Sequence, residues 1–227
     1  MPKVTTLAVL VTAAARPATA DGGEWIERAD MYLMALDTGA AGLSGSEGGW
    51  AVVDAVTRAR ESLEAATPPP WAELRTRLAS TERTPRQALA MLSVMNCPPD
   101  DVVIEALRDR SPDDLEARWL VAWIAGRLGA ASVQRNADQL VERFEREDSA
   151  FVVAAARPAI ERLDPRRQTI VLSAIAQHGL AKVAYIIAES QPGGVDRLLA
   201  RLRESGARDA EREVLSLRRR DEERTRR

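Results

Sequence analysis

The sequence predicts an all-α protein, built as a short α-solenoid of antiparallel helix pairs with an N-terminal helical cap. The chain has 227 residues, of which 45% are hydrophobic but only 4% aromatic, so Ala, Leu and Val must fill the core. That composition is typical of helices. Apolar residues recur at spacings of three and four, and no segment keeps a two-residue alternation for long. Proline and glycine divide this pattern into short helical segments joined by short connections.

The first 20 residues permit two interpretations. Apolar residues between positions 4 and 15 follow helical spacing, and Pro17 would end such a helix. Lys3, the apolar stretch and Ala18-Thr19-Ala20 also imitate a signal peptide that is cleaved before Asp21. The basic region is one residue long, and threonines dilute the apolar stretch, so we favour a first helix. We therefore expect a cytoplasmic protein rather than an exported one. No stretch reaches the roughly 18 uninterrupted apolar residues of a membrane span.

Residues 1–80 are predicted to form an N-terminal helical region. Helices are expected over 24–37, 50–66 and 71–79, and the proline triplet before Trp71 separates the last two. The Gly- and Ser-rich segment 38–49 predicts a flexible loop. The residues expected to face the core are Trp25, Ala29, Leu33 and Leu36 in the first helix, and Val53, Val56 and Leu63 in the second.

Capping residues followed by proline indicate where several helices begin in residues 84–205. Thr84 precedes a first-turn proline, with Gln87 at the capping-box position, and Ser111 precedes a proline and two aspartates. Asp164 followed by Pro165 is a third capping residue that precedes a first-turn proline. The predicted helices are 86–95, 100–109, 114–128, 134–146, 150–163, 166–178, 180–190 and 195–204. A C-terminal capping helix and a charged tail are predicted over 206–227.

Alternate helices begin near residues 49, 84, 113, 149 and 180, and this period predicts a repeat of two helices. The segment 112–147 resembles a HEAT-type repeat. It has an Asp-rich turn, Arg118 a few residues into the first helix, an Ala-rich helix ending in Leu128-Gly129, and a second Leu-rich helix. The resemblance is good over 112–147, loose over 84–205, and does not extend to 1–80. It implies stacked helix pairs. It also implies a protein-binding scaffold or adaptor, since a minority of such proteins bind nucleic acid and only a few are enzymes.

Two tryptophans mark the most prominent candidate site. Trp119 and Trp123 lie four residues apart and share a predicted helix face with Ala122 and Gly126. They either pack in the core or serve as aromatic anchors for a partner. Together with Arg118, they are the residues that we predict to bind a partner protein if they are exposed.

The other reactive residue types have structural explanations. His178 stands at a helix end, where its N–H or its charge complements terminal carbonyl groups. Cys97 lies at a helix break, and a Cys97–His178 pair is the less favoured alternative. The pairs Asp100-Asp101 and Asp113-Asp114 stand at helix starts, where carboxylates act as caps. The sequence therefore predicts no catalytic residue, no cofactor and no metal site.

The charge distribution argues against nucleic acid as the partner. The formal net charge is −2 at pH 7. Even the most basic region, 196–227, has eleven arginines against eight acids, a difference of +3. A nucleic-acid-binding solenoid needs a continuous basic stripe. Nucleic-acid binding is therefore kept as the alternative function, and an enzyme or ligand-binding protein is less favoured still.

Overall fold

The structure is a computed structural model that describes residues 23–42, 49–80, 84–95, 98–107 and 114–225. Every regular element in these ranges is a helix, which confirms the all-α prediction. The predicted helix or signal peptide of residues 1–20, Cys97, Ser111 and Asp113 lie outside the described residues. The helices are α1 (Glu24–Gly42), α2 (Gly49–Glu64), α3 (Trp71–Leu78), α4 (Thr84–Val94), α5 (Asp100–Leu107), α6 (Leu115–Gly126), α7 (Ala130–Arg135), α8 (Ala137–Phe144), α9 (Ala150–Arg162), α10 (Pro165–Ile175), α11 (Ala181–Glu189), α12 (Gly194–Glu204) and α13 (Arg208–Thr225).

The helices pack in two series. In the first, α1 packs against α4, α4 against α6, α6 against α9, α9 against α11 and α11 against α13. In the second, α3, α5, α8, α10 and α12 follow one another in the same way. Both series contribute side chains to one hydrophobic core, among them Leu120, Leu140, Ile160 and Leu172. Helix α2 packs on α1 and α4.

The N-terminal helices depart from the predictions in two places. Helix α1 continues to Gly42, so residues 38–42 of the predicted loop are helical. Extensive packing of α2 along α1 outweighs the cost of about 1 kcal/mol for each glycine in a helix. Val53 was predicted to face the core, but it is half-exposed, because α2 packs along the face that carries Val56 and Leu63. Trp25 is buried as predicted.

Two described helix starts have the carboxylate caps that the sequence predicts. Asp164 accepts hydrogen bonds from two backbone N–H groups of the first turn of α10, and Pro165 opens that helix. Ser111 lies outside the described residues, and helix α6 begins at Leu115, one residue after the predicted start at 114. The cap of α6 is the carboxylate of Asp114, which accepts the N–H of Ala117 at 3.1 Å. In α4, the Nε2 of Gln87 donates to Asp30 of the adjacent helix α1 at 2.7 Å.

The predicted helix 134–146 is two helices, α7 and α8, divided at Asn136. The side chain of Asn136 donates to the carbonyl of Ser132 at 2.9 Å, which competes with a regular helical backbone. Helices α10 and α11 are likewise separated by Gly179, whose φ of 87° is left-handed. The run Pro165–Glu189 is long and apolar enough to cross a membrane by length and composition. Half of its most apolar window is buried inside the protein, however, as in the core helices of soluble proteins.

Candidate partner-binding surface

Three aromatic rings form a continuous stack on one side of α6 and α9. The rings of Trp119 and Trp123 have centroids 5.5 Å apart and an interplanar angle of 22°. Phe151, from the first turn of α9, also stacks with Trp119, at a centroid distance of 5.6 Å and an interplanar angle of 14°. Phe151 is 49% exposed, and the two tryptophans are half-buried. We call these three side chains the aromatic column.

A close approach of two helices builds the aromatic column. A Cβ atom at Gly126 would lie 2.5 Å from the carbonyl oxygen of Ala155, so only glycine permits this separation of α6 and α9. Ala155 lies one helical turn after Phe151. The glycine contact therefore brings the first turn of α9 alongside α6 and sets Phe151 on Trp119.

The Trp123 end of the aromatic column is anchored to α4. The indole Nε1 of Trp123 donates to the carbonyl of Ser93 at 3.2 Å, and Arg127 donates to the same oxygen. Ser93 lies in the last turn of α4, where carbonyl groups lack helical partners. The guanidinium of Arg60 from α2 lies 5.9 Å from the Trp123 ring centroid and pairs with Glu64 at 2.8 Å. Trp123 thus has a structural role in addition to any role in binding.

Arg118, predicted as a partner-binding residue, lies in an internal ion pair. Its side chain is 16% exposed and pairs with Glu147, which is 1% exposed, and with Asp148. Glu147 also accepts the backbone N–H of Ser149 at 3.0 Å. The hydrogen bond to Glu147 raises the pKa of Arg118, and the same arginine holds the pKa of Asp148 below its usual range. Arg118 therefore ties α6 to the turn that precedes α9 and helps to position Phe151.

No family model, curated protein or solved structure matches this chain. The HEAT-type resemblance of residues 112–147 therefore stays a prediction.

The remaining predicted residues are accounted for by their contacts. His178 is exposed, and its Nε2 lies 3.1 Å from the carbonyl of Glu145 at the end of α8. A carbonyl only accepts, so Nε2 carries the hydrogen, and the helix end that it caps belongs to α8 rather than to its own helix. Asp101 pairs with Arg75. Among the described residues, no three His, Cys, Asp or Glu side chains are grouped as metal ligands would be.

A polar cleft of about 770 Å³ lies where α11, α12 and α13 meet. Burial raises the pKa of Tyr185 well above its usual range, and the hydroxyl of Tyr185 donates to Asp221. Arg218 pairs with Asp196 at 2.8 Å and with Glu222 at 3.1 Å. These side chains satisfy one another and fasten α13 to α11 and α12, so their role is structural.

Sequence reasoning missed Phe151, Glu147 and Arg60. A signal existed for the first two, since Phe151 follows Trp119 by 32 residues and Glu147 follows Arg118 by 29. Both separations match the predicted helix-pair period. No local pattern indicated Arg60, because it reaches Trp123 from a helix of the N-terminal region.

Proposed function

We propose that this chain is a non-enzymatic adaptor that binds an amphipathic helix of a partner protein on the aromatic column. The observation that carries the proposal is the exposure of Phe151, which stacks with Trp119 in the aromatic column. Leu115, also partly exposed, lies one turn before Trp119, so Leu115, Trp119 and Trp123 form an i, i+4, i+8 row along α6. This row is about 12 Å long, which suits two turns of a partner helix.

Helix α2 supports the choice of a helix as the partner. It is an amphipathic helix that packs on two members of the first series, α1 and α4, and it places Arg60 over Trp123. A partner helix would occupy the neighbouring position on α6 and α9.

We also propose that the two helix series form a short α-solenoid. Two observations support this architecture. Arg86 of α4 pairs with Asp114, and Arg118 of α6 pairs with Glu147, so the same type of pairing recurs one repeat later. Side chains also cap the end of an earlier helix at similar separations: Trp123 to Ser93 (30 residues), His178 to Glu145 (33 residues) and Arg162 to Gly126 (36 residues). Repeated contacts between successive units are typical of solenoids.

The decisive experiment compares two exposed apolar residues. A tagged chain recovers its partner from native cells, and the affinity for the purified partner is then measured with Phe151→Ala and Ile186→Ala. Ile186 is 42% exposed on α11 and does not belong to the column. We expect at least a tenfold loss of affinity for Phe151→Ala at an unchanged melting temperature, and no loss for Ile186→Ala. Trp123→Ala is less informative, because it also removes the hydrogen bond to Ser93.

Equal binding by both variants would refute the proposal. So would binding to duplex DNA that falls steeply with salt, since it would favour the nucleic-acid alternative.

A further inference from the structure

The first turn of α6 holds a buried carboxylate that is not fully paired. The side chain of Glu116 is 14% exposed, and its Oε1 is buried without a hydrogen-bond partner among the described residues. The guanidinium of Arg86, from α4, lies 3.6 Å from the other oxygen. Arg86 lies closer to Asp114, at 2.5 Å, and donates its hydrogen bond to this residue, which is the N-cap of α6.

Among the described residues, the charged groups around Glu116 come from three helices. Asp37 from α1 and Asp114 from the start of α6 add negative charge, and Arg86 from α4 is the positive group of this described set that acts on Glu116. Tyr32 of α1 is also close enough to interact with Glu116, but it is buried and neutral near pH 7. Within the part of the chain that the structure describes, one partly exposed guanidinium thus acts on three carboxylates. A bound proton would remove one of the negative charges and give Oε1 a donor.

We infer that Glu116, together with Asp37, Asp114 and Arg86, forms a proton-binding site that closes the junction of α1, α4 and α6 when protonated and loosens it when deprotonated. The site is built into the same helix as the aromatic column, one turn before Trp119. Its effect on partner binding rests on the proposed function, whereas the proton site itself does not.

The range of pH in which the site acts follows from its surroundings. Burial raises the pKa of Glu116 from 4.5 to about 7, with smaller contributions from Asp114 and Asp37 that also raise it and one from Arg86 that lowers it. If the opened state has the ordinary pKa, the equilibrium constant for local opening rises about tenfold between pH 6 and pH 8. The same calculation predicts no such change when residue 116 cannot ionise.

Hydrogen exchange of the backbone amides in the first turn of α6 tests this inference. After correction for the intrinsic exchange rate at each pH, the protection of the hydrogen-bonded amides of residues 117–119 should fall about tenfold from pH 6 to pH 8. Glu116→Gln should remove that dependence, and Glu61→Gln, at an exposed position on α2, should retain it. Protection that does not change with pH in the unmodified chain, or a dependence that survives in Glu116→Gln, would overturn the inference.

A second measurement does not depend on a variant. The side-chain carboxyl carbon of Glu116 is followed by NMR as a function of pH in the unmodified chain. A midpoint above 6 supports the proton site, and a midpoint at or below 6 refutes it. Neither measurement involves a partner, so either result is independent of whether Phe151→Ala weakens binding.

Discussion

The ion pair between Arg118 and Glu147 provides the sharpest test of how α6 and α9 are held together. Replacing Arg118 with Met keeps most of the packing of the side-chain stem but removes the charge. Glu147, which is 1% exposed, would then be a buried carboxylate without its main partner. Breaking a buried ion pair in this way typically costs 3–5 kcal/mol. Since Arg118 itself is 16% exposed, we expect the lower end of this range, about 3 kcal/mol.

The assay is urea denaturation followed by circular dichroism at 222 nm. Urea denaturation gives the loss of about 3 kcal/mol directly. In thermal denaturation, the same loss should lower the melting temperature by about 6–12 °C for a chain of this length. The matched control is Arg146→Met, because Arg146 pairs with Glu142 on the surface, with both side chains more than 60% exposed. We expect the control to cost less than about 1 kcal/mol. The double variant Arg118→Met/Glu147→Met should cost less than the sum of the two single variants, because neither charge is left alone.

An Arg118→Met variant that loses no more stability than Arg146→Met would refute this reasoning. In that case Arg118 would be free to act as the partner-binding residue that its position in the sequence first indicated. A large loss of stability combined with additive effects in the double variant would contradict the pairing itself, since it would place the cost in lost packing rather than in an unpaired charge.

Three further predictions concern stability. Gly126→Ala should cost about 1–3 kcal/mol because its Cβ would meet the backbone of α9. Gly129→Ala, with no atom within 4 Å of its Cβ, should cost less than about 1 kcal/mol, the amount expected from changing the N-cap residue of α7. Equal effects would contradict the close approach. Asp164→Ala should cost about 0.5–2 kcal/mol in thermal denaturation, since it removes the cap of α10; no loss would mean that the cap is unimportant. The folded-state pKa of Glu116 lies above its unfolded value, so its contribution to stability is complete below pH 4.5 and is lost as the pH rises through about 7. Relative to Glu116→Gln, the unmodified chain should therefore lose about 1–3 kcal/mol across this range, and parallel stability curves for the two proteins would contradict the shift.

The sequence was a good guide where local chemistry decides the structure. Asp164-Pro165 starts a helix because the carboxylate, the backbone N–H groups and the proline ring all lie within four residues. The sequence was a poor guide where a distant helix competes. The hydrogen bond from Gln87 to Asp30 of α1, 57 residues away, has no local signal. Residues 38–42 are helical because α2 packs against α1, although their glycines predict a loop.

The candidate site was predicted only in part. The i, i+4 spacing placed Trp119 and Trp123 on one helix face, and they do stack. Nothing in the spacing distinguishes an arginine that reaches solvent from one that turns toward a buried acid. The difference for Arg118 lies in Glu147, which is close in space but 29 residues away in the chain. Phe151 was missed for the same reason, since a stacking partner on another helix follows from the repeat period and not from local spacing.

The position of Phe151 in the stack of helices is the strongest argument for the adaptor proposal. Arg86 in the first turn of α4 and Arg118 in the first turn of α6 each reach an acid at the start of the next helix of the series. Helix α9 has no arginine in its first turn, and this series of ion pairs ends there. At that point Phe151 places an aromatic ring in solvent, although α9 lies between α6 and α11 rather than at an end of the series. Stacking on Trp119 covers about half of this ring, and a partner helix seated on the aromatic column would cover the rest together with Leu115.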